Sequence, residues 1–255
     1  MWIKYLLPPL LISTIALLSW GASPVGQVGD AQQWMGADEF GRNAWSVLAS
    51  AVLFSLGKGA AITAAIALVA SLLAYLASRD EYPRALLVLR GLCAIVESVP
   101  LVLWIVIVVV SVPGPRLGVT LAAFGILALP SVTQIFVGEF RRLRAAPFVE
   151  AAYLLGIREI RVFSRYILPA ALPVLAPLLI QILGSAIAID GAIGVFGLGN
   201  RSDIDLGVLL LRGKEQFITR PDYMISALGA YAALYLYLIW LSSGLGMPRH
   251  TRRPA

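Results

Sequence analysis

The chain has 255 residues, of which 59% are hydrophobic and only 13% are charged, with a formal net charge of +6 at pH 7. A soluble protein of this length needs a charged surface over most of its exterior, and this chain lacks the residues to build one. Its Lys and Arg residues gather in short segments between apolar runs, which is typical of membrane-protein loops. The composition therefore predicts a membrane protein and argues against a nucleic-acid partner.

Apolar segments along the chain are long enough to cross a hydrocarbon core about 30 Å thick as helices. Six are predicted, near residues 3–20, 55–77, 89–112, 117–136, 170–189 and 224–246. The first also has features of a secretory signal, because Lys4 precedes the apolar run and small residues follow it. Its length favours a span, so we expect an all-α membrane protein with six transmembrane helices.

Basic residues are distributed unevenly among the loops. The loop after the fourth segment contains Arg141, Arg142, Arg144, Arg158, Arg161 and Arg165, whereas the loop after the first contains Arg42 against Asp30, Asp38 and Glu39. Arginine-rich loops stay in the cytoplasm, so both termini are predicted to be cytoplasmic. The three arginines at 141, 142 and 144 are expected to anchor the chain to anionic membrane lipids.

This orientation divides the chain into three parts. Residues 1–54 contain the first transmembrane helix and a periplasmic interfacial segment, residues 55–246 form the transmembrane core, and residues 247–255 form a cytoplasmic tail.

The arginine-rich loop contains a regular pattern of Ala, Gly and Pro. It reads Glu150-Ala151-Ala152, then Gly156 after three residues, and Leu168-Pro169 after eleven more. Gly156 can adopt the left-handed conformation that ends a helix, and Pro169 suits the first turn of the next one. The pattern predicts two short helices joined by a turn. In the second, Ile160, Phe163 and Ile167 share one face. By itself, such a hairpin also suits an interfacial element without a partner.

The spacing resembles the EAA loop of ABC importer permeases, in which E-A-A, three residues, G, nine residues, I, one residue and L-P is the usual pattern; Tyr166 stands where that pattern has Ile. The resemblance implies a type I ABC importer permease architecture and a bacterial inner membrane. It also implies that the coupling loop, residues 140–169, docks on an ATP-binding subunit. The residues that it assigns to coupling are Glu150, Ala151, Ala152, Leu154, Leu155, Gly156, Arg158 and Pro169.

Two further segments narrow the resemblance. The run Gly36-Ala37-Asp38-Glu39-Phe40-Gly41-Arg42-Asn43, followed by Ser46, resembles the G-T-D-x-x-G-R-D-x-x-S signature of dipeptide, oligopeptide and nickel permeases of the C type. Ala37 and Asn43 stand where that signature has Thr and Asp, and Val47 stands where the family usually has Arg after the Ser. The run from Asp190 to Gly199, and Leu206-Gly207 after it, resemble a later family pattern that ends in S-F-L-G-L-G and W-G. The cargo implied is small peptides, with nickel or metal chelates and opine-like compounds as alternatives.

The same resemblance implies the partners. A homologous second permease would complete a heterodimer, two ABC ATPase subunits would lie on its cytoplasmic face, and an external solute-binding protein would deliver cargo. The chain lacks a Gly-x-x-x-x-Gly-Lys-Ser/Thr phosphate loop, so we expect no cofactor in it and assign ATP and Mg to the partner ATPases.

Two acidic residues are candidates for the translocation path. Glu97 lies inside the third predicted span, shortly before Pro100, which weakens a helix, and it either lines the path or pairs with Arg90 or a partner subunit. Asp190 either lines the external mouth or caps a neighbouring helix. The alternative from another class is a membrane-embedded enzyme with a site near Glu97 and Asp190. Neither His250 nor Cys93 has neighbours that suggest a catalytic or metal site.

Overall fold

The computed structural model describes residues 44–79, 83–111, 116–198, 204–219 and 221–246. The predicted first span, the motif at residues 36–43 and the tail at 247–255 lie outside these residues. Within them the elements are helical: α1 Ala44–Ala77, α2 Pro83–Glu97, α3 Leu101–Ser111, α4 Arg116–Arg144, α5 Pro147–Leu154, α6 Glu159–Val162, a π-helical turn Phe163–Ile167, α7 Leu168–Val195, α8 Leu206–Glu215 and α9 Pro221–Gly246. The all-α class is confirmed.

Four helical segments of the described chain are long and apolar enough to cross a membrane. They are Ser46–Ala77, Val119–Arg144, Glu159–Val195 and Met224–Leu245, and a bent pair of helices makes a fifth when it is counted as one span. These five correspond to the second to sixth predicted spans. The chain is therefore embedded in the membrane and crosses it several times.

The third predicted span is bent rather than continuous. Its described residues, 89–111, lie in α2 and α3, which meet at 85° on either side of a break between Glu97 and Leu101. Pro100 causes the break, because its ring and missing N–H are incompatible with a helix interior and restrict the residue before it. Its carbonyl oxygen instead accepts the N–H of Leu103 at 2.9 Å, at the start of α3.

Helix α1 begins well before the predicted start of its span at Ser55. It has 34 residues and is therefore about 50 Å long. Its first three turns bury Ala44, Val47 and Ala51 on one face, and these small residues form a hydrophobic cluster with α8 and α9. The remainder of α1 packs with α3, α4 and α7 in the larger core. Helix α1 thus joins two cores at different heights in the bundle.

Helix α4 extends past the predicted end at residue 136. It continues to Arg144, so that Arg141, Arg142 and Arg144 occupy its last turn instead of a loop. Positive charges are stabilising there because the carbonyl groups at a helix C-terminus carry partial negative charge.

Helix α8 is a short buried helix inside the segment that the sequence presents as a loop punctuated by Gly and Pro. A Cβ on Gly207, in its first turn, would lie 2.7 Å from the carbonyl oxygen of Asp190, and a Cβ on Gly213, near its end, would lie 2.9 Å from Cα of Met224. Helix α8 therefore starts beside the last turns of α7 and ends beside the first turns of α9. Its approach to α7 is equally close, since a Cβ on Gly194 would lie 2.4 Å from the carbonyl carbon of Gly207.

Replacing Gly194 with Ala tests this backbone contact. We expect Gly194→Ala to destabilise the folded chain by about 1–3 kcal/mol, because the methyl group has no space between two backbones. The matched control is Gly57→Ala in α1, where an added Cβ meets nothing within 4 Å. Unfolding in detergent, followed by intrinsic fluorescence, measures both; equal stability of the two variants would contradict the packing of α7 against α8.

Candidate functional site

The arginine-rich segment forms the predicted hairpin. Helix α5 begins with Pro147 in its first turn and ends at Leu154, and Gly156 then adopts a left-handed φ of +73°. The N–H of Gly156 donates to the carbonyl oxygen of Tyr153 at 2.9 Å, and the N–H of Ile157 donates to that of Ala152 at 3.3 Å. These two bonds are those of a Schellman motif, which satisfies the last carbonyl groups of a helix. Gly156 has the conformation that the sequence predicts.

The end of the hairpin is apolar and uncovered. Leu154 and Leu155 are 83% and 80% exposed, respectively. Glu150, Ala151, Gly156, Arg158 and Pro169 are also exposed, whereas Ala152 is buried. Most residues that the resemblance assigns to coupling therefore lie on one accessible hairpin, and Ala152 instead packs on the bundle.

The second arm of the hairpin continues into α7 without a break. It runs from α6 through the π-helical turn, a local widening of the helix that is frequent at functional sites. Phe163 and Ile167 are buried as expected, but Ile160 is 59% exposed and Val162 is fully buried in its place. The amphipathic face predicted through Ile160 is therefore corrected. It assumed a spacing of 3.6 residues per turn, which a four-residue helix followed by a π turn does not keep.

An aromatic contact joins this arm to two other helices. The ring of Phe163 lies 4.6 Å from that of Tyr75 in α1 and 5.0 Å from that of Phe140 in α4, measured between centroids. Aromatic pairs at these distances are stabilising beyond their buried area. The arm is thus packed between α1 and α4.

Ion pairs join the same elements beside this contact. Glu159 accepts from Arg79 at 3.0 Å and from Arg144 at 3.2 Å. Arg144 also donates to Ser78 at 3.1 Å and to the hydroxyl of Tyr153 at 3.2 Å. Burial raises the pKa of the Tyr153 hydroxyl above its ordinary value. Arg144 therefore links α1, α4 and both arms of the hairpin, a role that sequence reasoning did not assign to it.

A second charged cluster lies near the middle of α1. The ammonium group of Lys58 is 2.7 Å from Asp190 in α7 and 2.7 Å from Asp205 before α8, and the three side chains are 9%, 13% and 8% exposed. Asp205 also caps α8 by accepting the N–H of Val208 at 2.8 Å. Lys58 precedes Ser78 by about 30 Å along α1. The two charged clusters are thus separated by about the thickness of a hydrocarbon core.

Sequence analysis identified Asp190 but not Lys58 or Asp205. One signal was available: a Lys within a long apolar run requires a carboxylate partner. The identity of that partner was not available, because Asp205 lies 147 residues further along the chain.

Glu97 lies at the end of α2, at the bend, and its side chain is exposed. Its carboxylate accepts a hydrogen bond from Ser131 of α4 at 3.3 Å. Glu97 and Asp190 therefore have different partners on different helices, and the structure does not join them into one site. This geometry does not favour the enzyme alternative, which needs both carboxylates at one centre.

The family of this chain is shown by its similarity to known proteins. Residues 67–246, well over half of the chain, match the family described as binding-protein-dependent transport system inner membrane component. The chain belongs to this family. The hairpin, Glu97, Asp190 and Asp205 lie inside the matched segment, whereas Lys58 precedes it.

Individual relatives agree with this membership. The transport component is 31% identical over 163 residues to a probable peptide ABC transporter permease protein of Sinorhizobium fredii, covering 61% of this chain and 55% of the relative. It is 28% identical over 200 residues to a dipeptide transport system permease protein of Alkalihalophilus pseudofirmus, covering 76% and 64%. The chain thus spans less than two thirds of the length of these relatives.

A solved structure shares the fold. The crystal structure of an amino acid ABC transporter with histidines superposes with a TM-score of 0.56 at 18% identity, covering 78% of this transport component and 92% of that chain. The likeness supports the architecture predicted for an ABC importer permease.

Two substitutions separate the apolar and ionic contacts of the hairpin arm. We expect Phe163→Ala to destabilise the transport component by about 3 kcal/mol, because it leaves a cavity between α1 and α4. Glu159→Gln should cost about 0.5–1 kcal/mol, because its ion pairs are partly hydrated. Thermal unfolding in detergent ranks the two variants, and a larger loss for Glu159→Gln would show that the ion pairs dominate.

Proposed function

We propose that this chain is the transmembrane permease subunit of an ATP-driven ABC importer and that a cytoplasmic ATPase acts on it through the hairpin. The observation that carries the proposal is the exposure of Leu154 and Leu155 at the hairpin end. Burying an exposed Leu side chain against a partner protein contributes about 2 kcal/mol to the free energy of binding. Two adjacent leucines beside an accessible turn therefore provide a docking point for a hydrophobic groove on another protein.

The packing of the second arm supports a mechanical role. Movement of the hairpin is passed to α7 directly, because the arm and α7 are one continuous segment, and to α1 and α4 through Phe163 and Arg144. Closure of the ATPases would shift these helices together and switch the path between its inward-open and outward-open states.

The arginines beside the hairpin support the proposed orientation of the chain in the membrane. Arg141, Arg142 and Arg144 at the end of α4 favour a cytoplasmic position for this end of the bundle, in a bacterial inner membrane with both termini inside. The chain would pair with a homologous permease, dock two ATPases at its cytoplasmic face and receive cargo from an external solute-binding protein. ATP and Mg would be bound by the ATPases.

Small peptides are the proposed cargo. Relatives are named for transport of peptides, dipeptides and glutathione. Glu97, exposed at the bend between α2 and α3 beside Ser131, supplies a carboxylate that can bind the terminal ammonium group of a peptide. Nickel, metal chelates and opine-like compounds are the alternatives that uptake measurements distinguish.

Substitution of the hairpin end tests the docking. Leu154→Ser combined with Leu155→Ser should leave membrane insertion and stability unchanged, because both side chains are already exposed. The variant should fail to co-purify with the ATPase subunits and should lose ATP-dependent uptake. The control is Ile218→Ser, which changes a 96% exposed Ile in the turn between α8 and α9. ATPase co-purification and uptake equal to those of the unmodified chain would refute the coupling role.

Substitution of Glu97 tests the cargo. Glu97→Gln should reduce uptake of peptides with a free amino terminus by about tenfold, because a charge-assisted hydrogen bond is lost. Uptake of the same peptides acetylated at the amino terminus should be unaffected. Ser98→Ala, at the neighbouring exposed position, is the control. An equal reduction for both peptide forms would remove Glu97 from cargo recognition and leave the importer assignment standing.

A further inference from the structure

We describe the bundle as two bodies: α7, α8 and α9 form one, α1 with α4 forms the other, and α1 also packs on α7 between them. Helix α8 is fixed to α7 through Gly194 and Gly207 and to α9 through Gly213, and these contacts bring backbone against backbone. Helix α1 makes its most extensive contact with α4 instead. We call the boundary between α1 and the group of α7, α8 and α9 the seam.

Side-chain polar contacts close the seam on one side. Lys58 on α1 meets Asp190 and Asp205, which both belong to the opposite body. Beside it, the hydroxyl oxygen of Ser55 on α1 accepts the N–H of Leu206 at 3.0 Å. Contacts of this kind separate along the seam without any change within either body, whereas the glycine contacts of α8 do not.

Helix α1 also packs closely on α7 next to these contacts. A Cβ on Gly59 would lie 2.7 Å from Leu183 and 3.1 Å from Ile187, so α1 and α7 approach closely at this point. The hairpin contacts of α1, at Ser78 and Arg79, lie on one side of Gly59, and the first turns of α1 against α8 lie on the other. Because α1 is one helix, a displacement imposed at the hairpin end also moves Lys58 and the first turns of α1 relative to α8.

We propose that Lys58, Asp190 and Asp205 form a latch that holds the seam closed at the end of the bundle away from the hairpin, and that Lys58 separates from Asp205 when this end opens during transport. The proposal rests on the proposed function, because it assumes an alternating-access cycle driven from the hairpin. In this proposal Lys58 does not contact cargo; it holds α8 in position against α1 through Asp205. Two apolar residues would hold α8 without the desolvation cost of three charges, so the charged contact suits a closure that is specific and reversible.

A disulfide across the seam tests the latch. Ser55→Cys and Leu206→Cys, in a Cys93→Ala background, place one cysteine on each side of the seam, at positions where the Ser55 hydroxyl lies 3.0 Å from the backbone nitrogen of Leu206 in the unmodified chain. The assembly with its partner subunits is reconstituted in proteoliposomes, and ATP-dependent peptide uptake is measured after oxidation and again after reduction. Oxidation should lower uptake by about tenfold or more, because the seam is held in one of its two states. Reduction should restore it.

The single-cysteine variants Ser55→Cys and Leu206→Cys, treated with the same oxidant, are the controls and should transport equally before and after oxidation. Full uptake by the disulfide-linked protein would overturn the latch alone. Absence of ATP-dependent uptake by the unmodified assembly would overturn the proposed function, and the latch with it.

Substitutions that keep or remove the charges of this cluster test the role of Lys58 itself. Lys58→Arg keeps the ion pairs and should hydrolyse ATP in the absence of cargo at the rate of the unmodified assembly. Lys58→Met combined with Asp190→Asn and Asp205→Asn removes all three charges of the contact, and it should raise that rate several-fold. Cargo-free hydrolysis unchanged in the second variant, with the protein folded by size-exclusion chromatography, would contradict the role of Lys58.

Discussion

Charged groups on apolar helices need partners, and this constraint determines how the helices of the bundle are joined. An unpaired ammonium or carboxylate buried among apolar side chains is strongly unfavourable. Lys58 satisfies the constraint with carboxylates from α7 and α8, and Glu159 satisfies it with Arg79 and Arg144. Both sets connect α1 to the chain segment that contains α7, at heights about 30 Å apart. The relative position of these two helices is therefore fixed by charge at both heights and by apolar packing between them.

Between the charged clusters, small residues decide how closely the helices approach. Ala70 and Ala74 of α1 are fully buried in the larger core, and Gly59, the residue after Lys58, allows α7 to approach closely. Close approach of this kind is the usual basis of helix association in a membrane, where lipid removes the hydrophobic advantage of burying large side chains. At Gly59 the missing side chain leaves room for those of Leu183 and Ile187 on α7, next to the ion pairs of Lys58.

Local signals in the sequence predicted much of the structure. The apolar runs located the spans, Gly156 marked the turn of the hairpin, and Pro100 marked a weak point that the structure shows as a sharp bend. The features that the sequence did not predict depend on contacts between residues far apart in the chain. The role of Lys58 depends on Asp205, far away in sequence, and the buried helix α8 depends on glycine contacts with α7, so neither is encoded in a local pattern. The π-helical turn was also missed, because the spacing of apolar residues describes a regular helix only.

The two charged clusters differ in how much they resist separation. The partners of Glu159 are 28% and 17% exposed, so water replaces these ion pairs readily and each contributes roughly 1 kcal/mol or less. The Lys58 cluster is at most 13% exposed, and breaking a pair at such a depth costs several kcal/mol unless water enters. The ion pairs of Glu159 are therefore easier to break than those of Lys58, about 30 Å away along α1, while the aromatic contacts of Phe163 keep the arm attached to α1 and α4. This asymmetry lets the hairpin adjust to a partner while the far end of the bundle remains in one of two well-defined states.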